Sequence, residues 1–315
     1  MKRILVVHYS QTGQLTDVVR AFVGPLLSTP GVEVVFETLA PERPYPFPWP
    51  FLQFLDAFPE SVYQVPPPMR PFQVDPAAQF DLVILAYQVW FVSPSLPTTG
   101  FLQSETAAKL LRDRPVITLI ACRNMWLVAQ EKVKRRLAEI GAHLLDNVVL
   151  VDAAGGILSF IATPLWLLTG NKGPRGFIPA AGVAPAEIAA AARFGERIAA
   201  ALAEGPLDPR RPLLRGMGAV RVNEKLIASE QIAHRSFLVW GRLLRALGPP
   251  GARARRPLLA FYAVFLITMI LTVMPVAALV KLALQPLTRG RIRRQREYYA
   301  APSGEQTSLA GEVRP

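Results

Sequence analysis

The sequence holds one cysteine, Cys122, in 315 residues, so no intrachain disulfide can form. That fits a reducing compartment. It has no zinc-ligand spacing and no helix-turn-helix pattern, so neither a metal nor nucleic acid is expected. It has no secretory leader pattern: Lys2 and Arg3 precede a short apolar stretch, and His8, Ser10 and Gln11 interrupt it at once. The three spaced glycines of a dinucleotide fingerprint are missing, and no lysine follows Gly13, which excludes a nucleoside-triphosphate loop. Acidic residues are scarce toward the end. From Pro206 onward there are 6 Asp/Glu against 18 Lys/Arg, whereas Met1–Gly205 carries 17 of each. The net charge of +12 therefore belongs to the last third. A basic tract beside a long apolar run points to anionic lipid headgroups.

What is present is a regular alternation. Arg3–Tyr9, Glu33–Leu39, Asp81–Tyr87, Pro115–Cys122 and His143–Val151 are short apolar runs without helical period, and they predict five buried strands. Between them lie helical patterns. The first has Leu15, Val18, Val19, Phe22 and Leu26 on one face. Others are expected around Phe101–Leu111, from Asn124 to Ile140, and over Pro185–Glu204. This order predicts an α/β domain over residues 1–205, with a five-stranded parallel sheet covered by helices on both faces. A ligand is expected outside the carboxyl ends of the strands, at the switch in strand order. Residues 40–80 interrupt the alternation with prolines and aromatics, including Tyr45, Phe47 and Trp49. That density excludes long helices, and the aromatics argue for an ordered insertion.

The first strand hands over to the first helix through Tyr9-Ser10-Gln11-Thr12-Gly13-Gln14-Leu15-Thr16. Hydroxyls, free backbone N–H groups and the helix dipole can surround a phosphate there. Ser10, Thr12, Gly13 and Thr16 match a Ser-x-Thr-Gly-x-x-Thr pattern that resembles the FMN phosphate loop of flavodoxins. The resemblance makes Ser10, Gln11, Thr12, Gly13, Gln14 and Leu15 candidate FMN-binding residues. A plain helix cap by Ser10 or Thr12 is the competing reading. In flavodoxin-like proteins the ring is held by the loops after the third and fourth strands. Here Trp90 or Phe91 would stack on it, with Ser93 or Ser95 at its edge. Trp90 as a core residue is the alternative. Arg123, Asn124 and Met125 would follow the fourth strand, where Arg123 could stabilise negative charge on a reduced flavin. The alternative is an Asn124 cap with Trp126 packed inward. Cys122 reads as a core residue.

Four segments together resemble the flavodoxin-like family of dialkylresorcinol condensing enzymes: Tyr9–Leu15, Tyr45-Pro46-Phe47-Pro48-Trp49, Tyr87-Gln88-Val89-Trp90 with Ser93-Pro94-Ser95-Leu96-Pro97, and Cys122-Arg123-Asn124-Met125-Trp126. The resemblance spans roughly residues 1–205. It implies an FMN-dependent oxidoreductase that aromatises an alkylated cyclohexanedione made by a ketosynthase, a lipid-like substrate. His8, Tyr87 or Tyr9 would supply the base. The proline-aromatic insertion would wall an alkyl channel or form a packed lid. Two rivals stand beside this reading, an electron-transfer flavodoxin or quinone reductase and a flavin-free scaffold.

Pro257–Val280 is 24 residues without a formal charge. As a helix it is about 36 Å long, enough to cross a hydrocarbon core of about 30 Å. Pro275 is expected to kink it. Residues 206–256 read as a basic linker with an amphipathic interfacial helix over Ile232–Leu247. Residues 257–282 read as the membrane helix and 283–315 as a basic, largely disordered tail. Arginines flank the apolar run on both sides, so the positive-inside rule nearly ties between the two orientations of a span; a segment that enters one leaflet and returns, or lies tilted, would leave both ends cytoplasmic. The expected location is the cytoplasmic membrane, with the α/β domain facing the cytoplasm.

Overall fold

A computed structural model describes residues 1–153 and 159–304. The buried apolar runs form parallel strands β1 (Lys2–His8), β2 (Val32–Thr38), β3 (Leu82–Trp90), β5 (Pro115–Cys122) and β6 (His143–Val151). Their order is β2-β1-β3-β5-β6. This is the flavodoxin-like order, with the switch point between β1 and β3. The largest departure among them is β3, which runs beyond the expected Tyr87. Its end turns back on a two-residue antiparallel strand, β4 (Ser93–Pro94), through Val89 and Trp90.

Helices cover both faces. On one, α1 (Gln14–Leu27) buries Leu15, Val18, Val19, Phe22 and Leu26 against Ile4, Val6, Leu82 and Ile84. The expected Pro185–Glu204 helix is divided into α8 (Pro185–Ala190) and α9 (Ala192–Glu204). Gly195 lets α9 approach α1, since a Cβ there would collide with the Phe22 carbonyl. On the other face lie α4 (Leu96–Leu102), α5 (Glu105–Leu111) and α6 (Leu127–Ile140). The insertion is ordered, as its aromatics implied. It contains two short helices, α2 (Phe51–Asp56) and α3 (Phe58–Tyr63), and buries Trp49 and Phe58. A further helix, α7 (Ser159–Thr169), follows β6.

The tail corrects two expectations. Residues after 205 are not a loose linker: Leu214, Ala219 and Val220 are buried, and buried Asp146 accepts from the backbone N–H groups of Leu213 and Leu214 at 2.9 and 3.0 Å. Helix α10 (Glu224–Ala246) starts eight residues before Ile232. It buries Ile227, Glu230, Gly241 and Leu244, and leaves Ile232, Val239, Leu243 and Leu247 exposed. The apolar run begins in α11 (Arg255–Thr268), passes through a π-helical turn at Met269–Val273, and continues in α12 (Met274–Ala300). The irregular turn lies just before Pro275, where a donor is missing. Residues 283–300 are helical, not disordered, because Tyr299 and Ala300 pack on the domain and Ser303 is fully buried. The rest of the expected disordered tail, 305–315, lies outside the described residues.

Candidate functional site

A cavity of about 450 Å³ opens where the sequence places the phosphate loop. Thr12, Gly13, Gln14 and Thr16 line it, with Arg20, Phe47, Trp166 and Lys172 around them. The loop is built by its backbone. Gly13 caps α1 at φ 83°, a left-handed conformation that glycine adopts without strain, and a Cβ there would meet open space. Ser10 Oγ accepts the Thr16 N–H at 3.4 Å. Among the described residues, the N–H groups of Thr12 to Leu15 meet no acceptor, as expected for the first turn of a helix. They and the Arg20 and Lys172 cations make this end fit for a phosphate ester, against the one carboxylate in the lining, Asp17, which lies 3.8 Å from Arg20.

The other loop residues fix that geometry. Gln11 Nε2 donates to the Pro46 carbonyl at 2.6 Å, and its N–H donates to Gln88 Oε1 at 3.2 Å. Gln14 Oε1 accepts from Val183 N–H at 3.0 Å. Gln11 and Gln14 thus tie the loop to the insertion and to the segment before α8. The Leu15 side chain is fully buried on the inner face of α1, so only its backbone N–H is left to a ligand. The far wall comes from α7. Asp152 Oδ2 accepts from Thr163 Oγ1 and Gly182 N–H, both at 2.8 Å, and Trp49 N–H donates to the Leu167 carbonyl at 2.7 Å. Phe47 and Trp166 meet edge to face at 6.4 Å. The exposed Phe47 ring, backed by the buried Trp166, suits a flat heterocycle.

The loop after β3 corrects the sequence reading. Trp90 is 8% exposed and ringed by Tyr9, Tyr45 and Trp49 at 5.0–5.9 Å. It is a core residue, since the insertion folds back and fills the place beside it. Phe91 packs on Phe54, Phe58 and Phe237, toward α10. Ser93 is fully buried and accepts from Lys132 Nζ at 2.8 Å. Burial pushes the Lys132 ammonium down to about 8. None of the three lines the cavity. Phe91, Val92 and, after β5, Met125 hold φ of 47°, 52° and 51°. Non-glycine residues in this region store about 1–3 kcal/mol each, and such strain gathers at functional loops.

In the loop after β5, Trp126 packs inward and provides the N-cap position of α6. Asn124 is therefore not the cap. Its Oδ1 is buried and meets no donor among the described residues. Burial pushes the Arg123 guanidinium down to about 10, and nearby Asp152 opposes the shift. Burial pushes the Cys122 thiol up, in keeping with a core role. Tyr87 is fully buried with its hydroxyl donating to Gln130 Oε1 at 2.6 Å, which removes it as a base. His8 ends β1 on the same face as Val6, the α1 side. Its Nδ1 meets no partner among the described residues. Burial, then Arg20, lower its pKa, so the imidazole is neutral near pH 7.

Sequence reasoning missed Arg20, Trp166 and Lys172, and gave Phe47 to the wall of an alkyl channel rather than to this cavity. Arg20 had a signal, because it follows Thr16 by four residues on the same face of α1. Trp166 and Lys172 reach the loop by tertiary packing alone.

No family model and no curated protein matches the chain. Solved structures do resemble it. A flavoprotein in complex with FMN from Lactobacillus acidophilus NCFM is 13% identical with a TM-score of 0.38, over 47% of this chain and 93% of that one. A flavoprotein from Bacteroides eggerthii is 14% identical with a TM-score of 0.37, over 48% and 89%. A flavodoxin, WrbA-like protein from Agrobacterium tumefaciens is 12% identical with a TM-score of 0.35, over 65% and 99%. At this distance no shared activity follows, and the strand order itself carries the fold.

Proposed function

We propose that this chain is an FMN-dependent oxidoreductase at a membrane surface, and that it aromatises an alkylated cyclohexanedione to a dialkylresorcinol. One observation carries the cofactor reading: a cavity at the start of α1 is lined by the Gly13 turn, two threonines, two cations and two aromatic side chains, beside N–H groups that meet no acceptor among the described residues. Thr12, Thr16, Arg20, Lys172 and the Gly13 backbone would hold the phosphate, and Phe47 and Trp166 would flank the ring. FMN bound there supplies a two-electron acceptor for hydride leaving a ring carbon. The proton lost with it needs an acceptor. His8 is neutral, has an unengaged Nδ1, and senses Arg20, a residue of the cavity wall. The dione substrate rests on the resemblance to dialkylresorcinol condensing enzymes, with a ketosynthase as supplier. Membrane attachment on the cytoplasmic side rests on the basic last third and on Arg255–Val273, which is long and apolar enough to cross a bilayer.

The test is an absorption spectrum of detergent-purified full-length protein, with the released cofactor identified by mass. Bound FMN is expected. Purified chain that holds no flavin and takes up none from added FMN overturns the reading. With flavin present, conversion of an alkylcyclohexanedione to the resorcinol tests the substrate. Reduction of a quinone without aromatisation would favour an electron-transfer role instead.

A further inference from the structure

We infer that the apolar segment after Arg255 is a helical hairpin that dips into one leaflet of an anionic membrane and returns to the same side, an inference that rests on the membrane attachment proposed above. The two stems are both fastened to the α/β domain. At the outgoing stem, Arg255 is 1% exposed and donates to Glu60 at 2.7 Å, to Asp56 at 3.1 Å and to the Gly248 carbonyl at 2.8 Å. At the returning stem, Arg296 pairs with Glu224 at 3.1 Å, and Tyr298 donates to Glu131 at 2.6 Å. Ser303 Oγ then donates to Asp146 Oδ1 at 2.6 Å and accepts Asn147 N–H at 3.0 Å, inside the domain.

The contacts along α10 establish a reversal. Arg255 meets Gly248 and the Phe265 ring lies tilted against Trp240 at 4.9 Å, so α11 runs against α10. Arg296 meets Glu224 and Tyr299 meets Gln231 at 3.2 Å, so the end of α12 runs with α10. Between Phe265 and Tyr299, 34 residues of straight helix would extend about 51 Å, yet their partners on α10, Trp240 and Gln231, are only about 14 Å apart. The chain must leave the surface and come back.

The turn at Met269–Val273 divides the segment. The returning arm from it, Met274–Thr288, is 15 residues of unbroken α12 and about 22 Å long, shorter than the ~30 Å of a full hydrocarbon core. The side chains that leave the domain are apolar: Phe261, Val264, Ile267, Leu271 and Val276 are all exposed. Both stems are basic at the waterline, with Arg253 and Arg256 exposed on one and Arg289, Arg291 and Arg294 on the other. Anionic headgroups complement them. A hairpin also accounts for arginines on both flanks, which a single span leaves in conflict.

The experiment uses the full chain in a Cys122→Ala background, with single cysteines at exposed Ser28 in the α/β domain and at exposed Arg294. A membrane-impermeant maleimide is applied to spheroplasts and to inverted membrane vesicles. The expected result is labelling of Ser28→Cys and Arg294→Cys from the same side. Labelling from opposite sides overturns the hairpin in favour of a span, while attachment survives. Arg291→Cys repeats the readout should Arg294→Cys fold poorly. Co-sedimentation of the unaltered chain with phosphatidylcholine vesicles, with and without phosphatidylglycerol, is read alongside. Binding enhanced by phosphatidylglycerol is expected. A chain that stays in the supernatant with both overturns the attachment itself, and the hairpin with it.

Discussion

Two loops at the same edge of the sheet have opposite fates. The loop after β1 stays open: glycine turns it, its first N–H groups are unspent, and a cavity lies beside it. The loop after β3 is closed: Tyr45 and Trp49 from the insertion pack on Trp90, and Phe91 turns toward α10. Backbone chemistry keeps the first available, because a helix N-terminus retains free donors whatever surrounds it. Aromatic side chains seek burial, and a distant segment supplied the partners for the second. The aromatic residues that line the cavity are accordingly Phe47 and Trp166, not Trp90.

Replacing Trp90 by alanine tests this difference most strongly. A core tryptophan costs about 3–5 kcal/mol on truncation. Trp90→Ala is expected to lower the urea midpoint by that equivalent. The FMN affinity of the molecules that stay folded should change less than in Phe47→Ala. A stable Trp90→Ala protein that has lost FMN would return the ring to the β3 loop.

The loop after β5 is fastened from the tail. Glu230 of α10 accepts the Val128 N–H at 2.7 Å at the start of α6, and burial pushes its carboxyl up to about 8. Unfolded, the group titrates near 4.5. Between those pH values the folded chain holds a proton that the unfolded chain has released. The stability from Glu230 is therefore complete below about 4.5 and is lost as pH rises through about 8, a span of a few kcal/mol. Glu230→Gln should flatten that part of a denaturation-versus-pH profile. An unchanged slope would detach the tail from this loop.

The parallel sheet and the glycine-turned loop were legible in the sequence, since buried strands and helix starts are written in local pattern. Pro115–Cys122 and His143–Val151 end where their composition says. Gly13 marks its turn because few residues accept φ 83°. The fates of Trp90 and Phe91 were not legible, since they depend on residues 45–58 and 237 meeting them in space. Lys172 was invisible for the same reason. Residues 283–300 read as a disordered basic tail because their helix gains order from contacts to Glu131, Glu224 and Gln231, far away in sequence.

Charge at the open loop is the next contrast. Arg20→Ala and Lys172→Ala should each weaken FMN binding about tenfold, or about 1.4 kcal/mol, and leave riboflavin binding unchanged. Equal weakening of both ligands, measured by flavin fluorescence quenching, would place the phosphate elsewhere.

The smallest expected effect separates ring from phosphate at that same cavity. Phe47 is 37% exposed, so its truncation removes little core packing and should barely move the melting temperature. A ring-to-ring contact contributes about 0.5–1.5 kcal/mol. Phe47→Ala should therefore weaken FMN and riboflavin alike, by about two- to tenfold, the reverse of the pattern at Arg20. If it weakened neither, the flat face of the ligand would have to lie against Trp166 alone, and the insertion would be a lid that closes the β3 loop without touching what the β1 loop holds.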